Sequence, residues 1–187
     1  MRAHHIVLVL GTLLVVIGAF IADRVQTGGG SITIHSVQFL DSHGKRSSGL
    51  LYVPADASAD RPAPGILAVH GYINSCETQS GFAIEFARRG YVVLAIDQSG
   101  HGLSEPPAYG NGFGGPEALM YLRGLAAVDP SNIGIEGHSM GGWAALAAAA
   151  SDPDGYKAMV LVGSSPASFG APAATPEFPR NAAVIVG

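Results

Sequence analysis

Two nearly uninterrupted apolar runs, residues 65–69 (GILAV) and 91–96 (YVVLAI), constrain this chain more than any other feature. A strand with one wet face alternates apolar and polar residues, so a run without polar partners reads as a strand covered on both faces, as in a parallel sheet. Parallel neighbours need a crossover, and residues 80–89 provide one. Phe82, Ile84, Phe86 and Ala87 partly follow helical spacing, Arg88 and Arg89 suit the negative end of the helix dipole, and Gly90 is a stop signal. The unit is βαβ, and the expected class is α/β with a doubly wound, mostly parallel sheet.

The pattern continues on both sides. Residues 32–40 and 49–53, joined by the turn Asp41-Ser42-His43-Gly44-Lys45 and closed by Pro54, read as an opening antiparallel hairpin. A helix is expected over 116–127, with Pro116 at its first position, then Asp129-Pro130-Ser131 and a strand over 132–136 (NIGIE). An alanine-rich helix over 140–151 is apolar nearly all round and should be buried against the sheet. Strands over 157–162 and 182–186 follow, joined by a Pro/Ala/Ser-rich loop too short for a lid domain. The 26 glycines and 12 prolines fall mostly at breaks between these runs, and 187 residues suit one core-forming domain.

Ahead of this pattern lies an uncharged run, 6–22, opening at Ile6 and closing at Ala22. As a helix it would reach about 26 Å, close to the thickness of a bilayer core. Arg2 also permits a secretory signal, but such apolar regions are usually shorter and end in A-x-A, whereas the best cut here would follow Phe20-Ile21-Ala22. The preferred reading is a single-pass anchor, with a cleaved signal or a buried helix as alternatives. Arg2 against the cancelling Asp23 and Arg24 favours a domain outside the cytoplasm. Thr27-Gly28-Gly29-Gly30-Ser31 reads as a flexible tether, so residues 1–30 form anchor and tether and residues 31–187 the domain. A net charge of −4 with 13% charged residues lacks the basic footprint of nucleic-acid binding. Cys76, the single cysteine, excludes an intrachain disulfide and a CxxC pair, no metal-ligand spacing is present, and no cofactor is expected.

Gly137-His138-Ser139-Met140-Gly141 falls between an expected strand and an expected helix, where a G-x-S-x-G nucleophile elbow belongs. A serine on so sharp a turn is strained, and Gly137 and Gly141, with Gly142, let strand and helix approach closely. In a chain this rich in glycine the bare pattern has a chance expectation of about 0.3, so context must carry it. His70-Gly71-Tyr72 follows the first apolar strand, where the Tyr72 N–H, paired with that of Met140, would point at a developing oxyanion while His70 orders the loop. Residues 97–104 (DQSGHGLS) follow the second strand at the same sheet edge.

Through HGY, DQSGHGLS and GHSMGG, in that order, residues 32–187 resemble the α/β-hydrolase superfamily of serine hydrolases. Residues 116–142 (PEALMYLRGLAAVDPSNIGIEGHSMGG) look most like its dienelactone-hydrolase, acetyl-xylan-esterase and prolyl-oligopeptidase-like branch. The resemblance implies Ser139 as nucleophile acting on an ester, thioester or amide of a small-molecule or peptide substrate. Ser99 stands where relatives usually carry an arginine, which puts that arginine's bracing role in question.

The larger departure concerns the rest of the triad. This fold orders it Ser, acid, His, and all seven histidines precede Ser139. The favoured expectation is therefore a C-terminally incomplete hydrolase domain whose acid and histidine lie beyond Gly187, leaving residues 1–187 catalytically weak. The alternative is a membrane-tethered, non-catalytic binding or scaffold module. Within the chain, Asp152 and Asp154 read as solvated carboxylates at the wrong edge, Glu177 is a weak acid candidate, and His101 a weak base candidate. Cys76 reads as a small apolar filler, Trp143 as helix packing, and His4-His5 as part of the basic N-terminal region.

Overall fold

The computed structural model describes residues 3–164 and 181–185. Its centre is one seven-stranded sheet in the order β1-β2-β4-β3-β5-β6-β7: β1 Ile32–Leu40, β2 Arg46–Pro54, β3 Ala63–Val69, β4 Val92–Ile96, β5 Val128–His138, β6 Ala158–Val162 and β7 Ala182–Ile185. The β1–β2 and β2–β4 pairs are antiparallel and all others parallel. The fold is thus a mostly parallel α/β sheet, led in by the expected hairpin.

The two apolar runs became β3 and β4, which carry no exposed residue because helices cover both faces. On one face α3 (Gly115–Arg123) and α4 (Gly141–Ser151) pack over Leu67, Val69, Leu94, Ile96, Ile133 and Ile135. On the other, α2 (Ser80–Arg88) lays Ala83 and Ala87 over Ile66, Ala68, Val93 and Ala95. The six alanines of α4 leave its backbone close to its neighbours, and a Cβ at Gly115, the first residue of α3, would run into the carbonyl of Ala144.

Local chemistry moves several boundaries. α3 stops at Arg123, before Gly124, and not at residue 127. β5 begins at Val128 and runs through the Asp129-Pro130-Ser131 stretch expected to precede it. Pro130 is tolerated because the register with β3 jumps there: Pro64 pairs with Asp129, but Gly65 pairs with Ile133. The Asp129 carboxylate caps the bulge by accepting from Ser131 N–H (2.9 Å), its hydroxyl (2.7 Å) and Asn132 Nδ2 (2.6 Å). The Pro/Ala/Ser-rich loop, including Glu177, lies outside the described residues.

At the N-terminus α1 (Ala3–Gln26) is fully exposed and long and apolar enough to cross a membrane, a property that an anchor shares with a signal sequence. It extends past Ala22 through the first charged residues. The segment expected as a loose tether is a set of hydrogen-bonded turns. Gly29 N–H donates to Arg24 O (2.7 Å), Ile32 N–H to Thr27 O (3.0 Å) and Ser31 Oγ to Gly28 O (2.9 Å). Three left-handed glycines, φ +58°, +78° and +95°, make this winding possible.

These contacts set opposite expectations for two helical glycines. Gly115→Ala should destabilise the fold by about 2 kcal/mol, because the added methyl meets backbone that has no room to move. Gly81→Ala in α2, whose Cβ would meet nothing within 4 Å, should stabilise it by about 0.5–1 kcal/mol. Thermal melting in detergent compares them.

Candidate active site

β5 ends at His138 and α4 begins at Gly141, so Ser139 and Met140 make the whole turn. Ser139 adopts φ +53°, a conformation that costs a non-glycine residue on the order of 1–3 kcal/mol. The turn is fixed on three sides: Ser139 N–H donates to Val162 O (2.7 Å) on β6, Gly142 N–H to Ser139 O (3.0 Å) and Trp143 N–H to Met140 O (3.0 Å). A Cβ at Gly137 would sit 2.5 Å from Gly141 O, and one at Gly141 would sit 2.5 Å from His70 O and closer still to Val69 O. Gly137 and Gly141 are therefore required by backbone contact.

Those contacts bring the loop after β3 onto the elbow. Gly71 lies against it, its would-be Cβ 3.3 Å from Ser139 Cβ and 3.0 Å from His138 Nδ1. Tyr72 follows with an exposed side chain, while Met140 is buried. Among the described residues, the N–H groups of Tyr72 and Met140 donate no hydrogen bond. Ser139 is half-buried, and no described histidine hydrogen-bonds its side chain.

His70 is completely buried and binds two loops together. Its Nε2 accepts from Gln98 N–H (3.1 Å), which leaves the proton on Nδ1, donated to Gly71 O (2.7 Å). Gln98 Nε2 returns a hydrogen bond to His70 O. Burial pushes the His70 pKa below its ordinary value, so the ring is neutral.

Asp97 performs the same task with charge. Its Oδ1 accepts from Cys76 N–H (2.8 Å) and its Oδ2 from the Ser48 hydroxyl (2.7 Å) and Leu103 N–H (3.0 Å). Burial by itself would raise its pKa, but the hydrogen bonds from Leu103, Ser48 and Cys76 outweigh it and hold the carboxyl below its ordinary range. Ser104 Oγ donates to Asp97 O (2.8 Å), so the 97–104 loop is braced without an arginine at position 99. Ser99 is buried and its N–H donates to Phe113 O (3.2 Å).

The weaker candidates separate cleanly. His101 Nδ1 meets Ser99 O (3.2 Å), and its ring packs against His70 (5.5 Å) and Tyr109 (5.8 Å). Asp152 ends α4 in an ion pair with Arg123, at the edge away from Ser139, and Asp154 is exposed nearby. Trp143 packs its ring against Phe113 (5.8 Å). Cys76 is buried; burial and the nearby Asp97 carboxylate push its thiol pKa up. Cys76, Glu77 and Asp97 bring possible ligand atoms within 4.8 Å, but the Asp97 oxygens are already taken by N–H and O–H donors and the thiol is held protonated, which makes a poor cation cage.

One buried group was not singled out from sequence. Glu136, three residues before Ser139 on β5, is 3% exposed, and neither carboxyl oxygen has a hydrogen-bond partner. Burial raises its pKa to about 8. The signal was present as a carboxylate inside the otherwise apolar run NIGIE.

Comparison with known proteins agrees with this α/β architecture. Residues 64–183, more than half of the chain, match the model of the alpha/beta hydrolase fold family. This chain belongs to that family. A solved structure, the acetyl xylan esterase from Paenibacillus sp. R4, is 25% identical with a TM-score of 0.61, covering 72% of this chain and 49% of that one. A hypothetical protein of Pseudomonas aeruginosa is 28% identical with a TM-score of 0.64, covering 72% and 44%. In sequence, an uncharacterized protein of Mycobacterium bovis is 34% identical over 107 residues, 53% of this chain and 28% of its own. The α/β-hydrolase chain described here thus spans less than half the length of these relatives.

The orphaned carboxyl sets a pH dependence for this hydrolase fold. With a folded pKa of about 8 against an ordinary 4.5, the folded state binds more protons than the unfolded one between these values. Stability should therefore fall as pH rises from about 4.5 to about 8, by at most about 1.4 kcal/mol per pH unit. Glu136→Gln should flatten that decline in pH-resolved thermal melts; an unchanged slope would assign it to another group.

Proposed function

We propose that this chain carries the nucleophile half of a serine hydrolase that cleaves an acyl ester, thioester or amide, with residues 31–187 as its hydrolase domain. The observation that carries the reading is Ser139 at φ +53° on the elbow, beside the Tyr72 and Met140 N–H groups, which donate no hydrogen bond among the described residues. In this reading Ser139 Oγ attacks the acyl carbonyl and the carbonyl oxygen becomes an oxyanion that accepts from those two N–H groups. Collapse of the tetrahedral intermediate expels the alcohol, thiol or amine, which leaves with the proton given up by the Ser139 hydroxyl, and an acyl-serine remains for water to cleave. His70, Gly71, Gly137 and Gly141 build the turn and its loop without touching the reacting atoms. The likeness to an acetyl xylan esterase supports the ester among the three bond types.

The triad order of the family puts the acid and the histidine after β7, outside the described residues. A second reading, a tethered binding module of the same fold, is favoured by one observation: no described histidine hydrogen-bonds Ser139. On both readings α1 is an uncleaved anchor with the domain outside the cytoplasm, which carbonate extraction checks: release of a chain that keeps its N-terminus contradicts it.

A fluorophosphonate probe separates the two. In a chain that carries an acid and a histidine after β7, Ser139 should label rapidly, and Ser139→Ala should abolish labelling. Residues 1–187 alone should label about 10²-fold more slowly or worse, because general-base help typically supplies that much. Equal rates in the long and short chains would mean that a base lies inside residues 1–187. No Ser139-dependent labelling in either would favour the binding module.

A further inference from the structure

We infer that the sheet edge carrying Ser139 faces away from the bilayer that holds α1, so that the site takes water-soluble acyl substrates and not lipids of that bilayer. This rests on α1 as an anchor and Ser139 as the nucleophile.

The strand register supplies the measure. One row of paired residues crosses the sheet through Val37, Gly49, Ile96, Val69 and Gly137. β1 and β5 point the same way, since two antiparallel steps and two parallel ones connect them. Ile32, where α1's connection enters β1, lies five residues before the row, and Ser139 lies two residues past it. Seven residues of strand rise are about 23 Å. The five residues 27–31 span at most about 17 Å even if fully extended. They are wound into turns, so the end of α1 cannot reach the Ser139 edge.

A second contact pins the same end. Arg88, in the last turn of α2, donates Nη2–H to Val25 O (2.6 Å) near the end of α1. α2 runs back to the start of β4, so Arg88 also sits at the edge opposite Ser139. The exit of α1 is thereby fixed by chain topology and by a side chain.

The exposed apolar residues Tyr72, Ile73, Leu103 and Tyr109 would suggest the opposite if read alone, because an enzyme that works on bilayer lipids buries such groups in the membrane. Here they surround the Ser139 edge: Tyr72 follows Gly71 at the elbow, and Tyr109 packs on His101, which packs on His70. Held about 20 Å from where the anchor leaves the bilayer, they border the approach of a substrate arriving from water.

Single-label quenching tests this in the full chain. Ala55→Cys reports the anchor edge, next to Ser31, and Leu103→Cys the Ser139 edge; both positions are exposed, and Cys76, 3% exposed, stays unlabelled. In phosphatidylcholine vesicles carrying a headgroup-attached spin-label quencher, the fluorophore at residue 55 should be quenched severalfold more than the one at residue 103. Equal quenching, or none at residue 55 in a chain that floats with the vesicles, overturns the inference. Failure to float removes the anchor and overturns it as well. Fluorophosphonate labelling of Ser139, which needs no bilayer, reads the hydrolase assignment separately.

Discussion

The Ser139 edge depends on backbones that meet with no side chain between them. α4 starts so close to β3 that Gly141 touches the carbonyls of Val69 and His70, and so close to β5 that Gly137 touches Gly141. Gly142 in turn faces Ser164, just past β6. This compression lets one turn carry the chain from strand to helix, and it forces Ser139 to φ +53°. The strain persists because Ser139 N–H is tied to β6 and Gly142 N–H to Ser139 O, so relaxing the angle would break both bonds. Tight packing, and not any single attractive contact, therefore holds the serine in this conformation.

Two buried side chains keep the loops above this turn in place, and they use opposite electrostatics. His70 is neutral and cross-links the loops after β3 and β4 by accepting from Gln98 N–H at its ring and from Gln98 Nε2 at its carbonyl. Asp97 is ionised and gathers three donors, from β2, from the start of the turn before α2 and from its own loop. A buried carboxylate is costly unless it is satisfied in this way, so losing one donor penalises the charge and not merely the bond. Gly102 completes the arrangement, since a Cβ there would strike the Asp97 carboxyl.

What could be read from sequence divides along physical lines. The central strands, the elbow and the covering helices were legible because continuous apolar runs and paired glycines have few other uses in a folded chain. The join of α3 to β5 was not, because Pro130 reads as a break unless a bulge is known to receive it, and a bulge depends on the partner strand. The tether was misjudged for a similar reason: three consecutive glycines signal freedom in composition but, with φ positive at each, can instead wind a tight cap. Ser99 put the bracing of its loop in doubt only because the Asp97 network is assembled from residues 48, 76 and 103, which no local window contains.

The same network also sets the charge around the elbow. His70 carries no charge, and Glu136, three residues before Ser139, is neutral below about pH 8 because burial disfavours its anion. Asp97 is charged, but its negative charge is met by inward-pointing donors. Near neutral pH, then, neither His70 nor Glu136 contributes a charge there. Among the described residues the N–H groups of Tyr72 and Met140, beside Ser139, donate no hydrogen bond, and a fixed dipole in such surroundings counts for more than it would in water. Ionised Glu136 would add a buried negative charge on the strand that ends at the serine, so the cost of keeping an unpartnered carboxyl there is bearable only while it holds its proton.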